Sequence, residues 1–151
     1  MAEHAVLWIS KELAEQIRSH GAITYPHECC GALIGRDSSE AEARQVLQLF
    51  PLVNRRDDSP RNRFSVSAED VRDAEKASLE RGLEVVGWYH SHPDHPARPS
   101  EFDREHAWPW YSYIIVSVQQ GEPAEMTSWR LTDDRQAYLP EPIEIRQTAA
   151  V

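Results

Sequence analysis

The chain has 151 residues, 40% of them hydrophobic, which is enough for one ordinary domain with a buried core. Its 25 acidic residues outnumber 16 basic ones for a net charge of -9, which argues against a sequence-independent grip on nucleic acid phosphates or anionic lipid. The opening MAEHAVLWISKELAEQIRSH lacks a basic segment followed by a long apolar core, and no apolar run approaches the roughly 18 residues of a membrane span. The expectation is a soluble, cytoplasmic protein with no nucleic acid or membrane partner.

In chain order, Leu13, Ala14 and Ile17 stand at helical spacing, with Ser10 as N-cap and Gly21 as a stop, which predicts a helix over 10–20. Cys29 to Gly35 and Gln45 to Val53 are apolar runs around the turn-like RDSS, which predicts two strands of a hairpin. Cys29 and Cys30 are the only cysteines, and a disulfide between neighbours would be strained, so reduced thiols are expected. The stretch NRRDDSPRNR follows, without an apolar residue in its ten positions. It reads as a polar loop whose Arg55, Arg56, Arg61 and Arg63 are either simply solvated or steer an acidic partner. Ser67 opens S-A-E-D, a capping-box start for a second helix carrying Val71, Ala74 and Leu79 and stopping near Gly82.

LEVVGWYH, bounded by Gly82 and HPARP, has the look of a buried strand ending at the histidines, with Trp88 and Tyr89 as packing residues. YSYIIVSV is the strongest strand of the chain and EMTSWRL alternates well enough to be its neighbour. YLPEPIEIRQ alternates around two prolines, which confines it to a sheet edge. The order αββαβ(α)βββ implies an α/β (α+β) class with a mixed β-sheet flanked by helices, in one domain over residues 1–151.

Residues 90 to 95 read HSHPDH. On an extended strand His90 and His92 project from one face and can share a zinc ion. Such an ion takes a third protein ligand and, where it is catalytic, leaves a fourth position to water. Two ligand sets fit. One is the H-x-H-x-D-H pattern of metallo-β-lactamase-like hydrolases, using His90, His92, Asp94 and His95, but that family needs more histidines downstream and only His106 follows. The other is His90, His92 and Asp103, with Ser100 between. Ser100 and Asp103 also fit a helix N-terminus, as N-cap and N3. A short helix started at Ser100 would aim Asp103 back toward the histidines, so capping and ligation are compatible. Cys29 and Cys30 would point to opposite faces of a strand and offer no C-x-x-C spacing, so they read as buried small hydrophobes.

The succession H-x-H-P, a short proline-containing loop and P-S-x-x-D resembles the JAMM motif of the MPN+ (Mov34/MPN/PAD-1) zinc metalloprotease family. An acid ahead of a glycine-containing strand, in PHECCGALIG, and the G-W-Y run into the histidines extend the resemblance over roughly residues 10–133. It implies a single MPN domain with a core over about 5–140 and a cytidine-deaminase-like fold. The implied site has Zn2+ on His90, His92 and Asp103, Glu28 as general base, and Ser100 as hydrogen-bond donor to the oxyanion. The implied reaction is that of prokaryotic stand-alone members, hydrolysis after the C-terminal Gly-Gly of a small ubiquitin-like sulfur-carrier or modifier protein. Its narrow tail is expected along an open strand edge beside the metal. Non-catalytic MPN scaffolds lack parts of the motif that this chain retains, and a cytidine deaminase needs a C-x-x-C element that it does not contain.

Overall fold

The computed structural model describes residues 6–54 and 67–147. A strand absent from the sequence-based expectation comes first, β1 (Val6–Ser10), whose Leu7 and Ile9 are buried. Ser10 then caps α1 (Lys11–Thr24), its hydroxyl accepting from the Leu13 amide at 3.1 Å. The helix does not stop at Gly21. That residue lies where α1 presses on the sheet, and a Cβ there would meet Val118 at 3.0 Å and Ser91 at 3.3 Å. Gly21 is thus a close-approach residue, and the helix ends ahead of Pro26, where the residue preceding a proline disfavours helical geometry.

The expected hairpin is β2 (Cys30–Ser38) and β3 (Ala43–Leu52), paired antiparallel. The loop from Arg55 to Arg63 lies outside the described residues. The second helix, α2 (Ala68–Glu80), begins with the expected capping box at Ser67 and is followed by Gly82 at φ +69°. It buries Ala74 and Ser78, whereas Leu79, expected on its apolar side, is 75% exposed. β4 (Glu84–Pro93) runs through both histidines, and the one-turn α3 (Glu101–Glu105) starts at Ser100. β5 (Ser112–Gln119) and β6 (Glu122–Leu131) are the expected antiparallel neighbours.

The C-terminal segment makes two strands, β7 (Tyr138–Glu141) and β8 (Ile143–Arg146). Among the described residues the strands form one mixed eight-stranded sheet in the order β7-β6-β5-β4-β2-β3-β1-β8. The two prolines do confine this segment to an edge, as strand chemistry requires, but it supplies both edges. Only Pro142 separates β7 from β8, so the sheet must curl until its ends meet there, and the Leu7 amide donates to the Pro142 carbonyl at 2.9 Å. One face packs on α1 through Leu7, Ile17, Leu33, Val86, Tyr89 and Ile114. The other packs on α2 through Ala32, Ile34, Ala74 and Val85. No helix among the described residues is long and apolar enough to cross a membrane.

Candidate metal centre

β4 is the spine of the site. It is paired on both flanks, antiparallel to β2 (Cys30 opposite His90) and parallel to β5 (His90 opposite Ile115), so its backbone is fixed by two ladders. Alternation along it sends Trp88, His90 and His92 to one face. Both histidines are buried, at 2% and 7% exposure. Eight residues beyond His92, Ser100 caps α3 in a reciprocal box: its hydroxyl accepts from the Asp103 amide at 3.0 Å, and its amide donates to Asp103 Oδ2 at 2.9 Å. That box turns the carboxylate back toward β4.

The three side chains converge. His90 Nε2 and His92 Nε2 are 3.1 Å apart, and Asp103 Oδ2 lies 3.3 Å from the first and 3.1 Å from the second. Donor atoms at 2.0–2.1 Å around a tetrahedral zinc ion stand about 3.3 Å from one another. The triangle therefore has the edges of a zinc site before any ion is placed in it. Orientation agrees with spacing: His92 Nδ1 faces the Pro96 carbonyl at 2.9 Å, and because a carbonyl only accepts, the ring proton sits on Nδ1 and Nε2 is left as a donor to metal. Burial works against ionisation of Asp103, yet His90 and His92 beside it hold its carboxyl well below the usual carboxylate range. Among the described residues this is the one group of three metal-ligating side chains.

The alternative ligand set within HSHPDH is not brought together. Asp94 is exposed, at φ +58°, with Oδ2 accepting from the Tyr25 hydroxyl and Oδ1 from the Gln120 amide, both at 2.7 Å. His95 is exposed as well. Cys29 and Cys30 are free thiols on opposite faces: Cys29 packs in the α1-side core and Cys30 lines the cavity beside His90. Burial pushes both thiols up to about 12, and neither belongs to the group of converging ligand atoms.

Glu28 precedes β2 and is 3% exposed. The Ser91 amide donates to the Cys29 carbonyl at 3.2 Å and the Ser91 hydroxyl accepts from the Cys29 amide at 2.8 Å. Glu28 therefore lies one residue before a backbone contact with Ser91, the residue between the two histidines. Asn54 holds the Glu28 carbonyl from the other side at 3.2 Å. The Glu28 carboxylate is not part of the ligand triangle. β4 itself is paired on both flanks, and of the two outer strands β7 brings Tyr138 into the cavity beside Asp103.

Next to the triangle is a cavity of about 430 Å³ with His90 and Asp103 in its wall. Trp88 belongs to it and is only half-buried, while Tyr89 is the core residue that strand packing predicts, its hydroxyl 2.8 Å from His20 Nδ1. Sequence reasoning missed the remaining aromatic lining; the run W-P-W-Y-S-Y shortly after the motif was the available signal.

The family model for prokaryotic homologs of the JAB domain matches residues 10–132. The chain belongs to this family. The JAB-domain chain is 36% identical over 110 residues to desampylase of Haloferax volcanii, covering 72% of this chain and 73% of that one. It is 30% identical over 142 residues to the CysO-cysteine peptidase of Mycobacterium tuberculosis, covering 93% and 91%. A solution structure of a protein from Desulfitobacterium hafniense superposes with a TM-score of 0.82 at 31% identity, covering 95% of each chain. Family membership and the His-His-Asp triangle together make this a zinc metallopeptidase domain of the JAMM type.

Proposed function

We propose that the protein hydrolyses the bond after the C-terminal Gly-Gly of a small ubiquitin-like sulfur-carrier or modifier protein, as a single cytoplasmic catalytic domain over residues 1–151. The observation that carries this reading is the triangle of donor atoms at zinc-site spacing in the wall of a cavity. Relatives named for cleaving such conjugates support the substrate class. His90, His92 and Asp103 would hold a zinc ion, which would supply Lewis acidity for activating a water and polarising a carbonyl.

The chain's own residues do the rest. Glu28, buried next to the Cys29–Ser91 contact and outside the triangle, takes the proton of the attacking water and returns it to the departing amine as the C–N bond breaks. Ser100 Oγ accepts from the Asp103 amide, which leaves its own proton to donate to the oxyanion. Asp103 is held by the same serine, so the cap of α3 sets both groups at once. The two buried, reduced cysteines accord with a reducing compartment.

The test is Glu28→Gln. The variant is expected to keep about one zinc per chain by elemental analysis while hydrolysis of a carrier conjugate falls by about 10²–10⁴-fold. Turnover near that of the parent would remove Glu28 from the reaction, and loss of zinc would make it a ligand instead.

A further inference from the structure

A diglycine tail has no side chains, yet the metal triangle opens on a cavity far too large for it. The lining of that cavity is aromatic: Trp88, Phe102, Trp108, Tyr111, Tyr113 and Tyr138. Its volume, about 430 Å³, is within the range of roughly 300–1,000 Å³ typical of sites for small organic groups. The rings are set against one another edge to face, Trp88 with Tyr111 at 6.0 Å and Tyr113 with Tyr138 at 6.1 Å between centroids. Two tyrosine hydroxyls are engaged with main chain, Tyr113 accepting from the Trp108 amide at 2.9 Å and Tyr138 donating to the Asp103 carbonyl at 3.1 Å. The wall of the cavity is more apolar than polar. Such a wall selects an apolar side chain by area and ring contact.

The position of the wall says which side chain. His90 and Asp103, two corners of the triangle, are themselves part of the lining, so the cavity begins at the scissile bond. Upstream of that bond the first residue with a side chain precedes the diglycine, two residues away at ~3.3 Å each along an extended chain. Downstream, the residue carrying the departing amine is bonded directly to the reacting carbonyl. We propose that this aromatic cavity is the subsite for the residue immediately after the scissile bond, and that it favours a large apolar side chain there over a small one. This rests on the peptidase reading above and adds the leaving group to it. Tyr138 links the two functions, because the hydroxyl that shapes the cavity also holds the main chain of the ligand Asp103.

The experiment uses the full chain loaded with zinc and a ubiquitin-fold sulfur carrier ending in Gly-Gly-X, with X as Gly, Ala, Cys, Leu or Phe. Leu and Phe are expected to be released with a kcat/KM about tenfold to a hundredfold above Gly and Ala, with Cys near the small residues. Tyr111→Ala, checked for zinc content and thermal midpoint, should compress the Phe-to-Gly ratio. In parallel, phenylalaninamide should perturb the fluorescence of Trp88 and Trp108, and glycinamide should not. Equal rates across the series, or a preference for Gly, would overturn the subsite. Cleavage of no member, with phenylalaninamide still bound, would instead overturn the peptidase reading while leaving an aromatic-lined site for an apolar amine.

Discussion

The chain writes the same four-residue device twice. Ser67-Ala-Glu-Asp70 opens α2 and Ser100-Glu-Phe-Asp103 opens α3, each as a reciprocal capping box. The local geometry is nearly identical: the aspartate amide donates to the serine hydroxyl at 3.0 Å in both, and the serine amide donates to the carboxylate at 3.2 Å in the first and 2.9 Å in the second. Both aspartates are buried, at 7% and 8% exposure. Among the described residues, only the second faces two imidazole nitrogens. A cap is therefore a way of aiming a carboxylate, and what it is aimed at comes from the strand across the gap. At α2 the aim serves the helix, while at α3, a single turn with little helix to stabilise, it serves the metal.

The sharpest way to break the comparison is to neutralise each aspartate. Asp103→Asn should lose zinc on dialysis and hydrolysis with it, whereas Asp70→Asn should keep both and cost only about 1 kcal/mol of stability. Equal metal content in the two variants would show that the boxes are alike in function as well as in form. Next in size is the serine pair. Each alanine variant removes a cap worth about 1 kcal/mol, but Ser100→Ala should also lower kcat by about 10²–10³-fold through loss of the oxyanion donor, with Ser67→Ala turning over normally. Steady-state kinetics beside urea unfolding separates the two effects.

Zinc itself sharpens the contrast further. Added at about a hundredfold excess over its dissociation constant, it should raise the unfolding free energy of the parent by about 2.7 kcal/mol. The same rise is expected in Asp70→Asn, with none in Asp103→Asn, read by thermal unfolding of apo and loaded protein. The smallest effect expected is a Ser67→Ala loss of about 1 kcal/mol that is the same with and without zinc.

A second buried polar cluster shows what a complete one looks like. Arg44, fully buried, directs its guanidinium to Asp37 at 2.7 Å, to the carbonyls of Val86 and Trp110, and to Ser112 Oγ, so each bond joins a donor to an acceptor. In the metal triangle two nitrogens and a carboxylate oxygen crowd within 3.3 Å of one another. Such a gathering of lone pairs is stabilised by a cation. The contrast explains why one buried cluster is scaffold and the other is a site.

Much of this was legible in the sequence. Short apolar runs located β2 to β5, alternation located β6, the two Ser-x-x-Asp boxes marked the starts of α2 and α3, and the spacing from His90 to Asp103 contained the ligand triangle. These features depend on interactions within a few residues, which the order of side chains dictates directly. Other features depend on partners far along the chain. Val6–Ser10 is a strand because β3 and β8 lie parallel to it, Gly21 continues a helix because Val118 and Ser91 press on it, and the C-terminal strands take opposite edges because the sheet curls. Folding also had to choose between the two readings of HSHPDH, by turning Asp94 toward Tyr25 and Gln120 and leaving His95 in solvent. Sequence by itself determined which atoms could bind a metal and which turn would aim them. Tertiary structure alone decided that two strand-borne imidazoles and one helix-capping carboxylate meet at zinc spacing, with an aromatic cavity at their side, because only the paired sheet brings β4, α3 and β7 to one place.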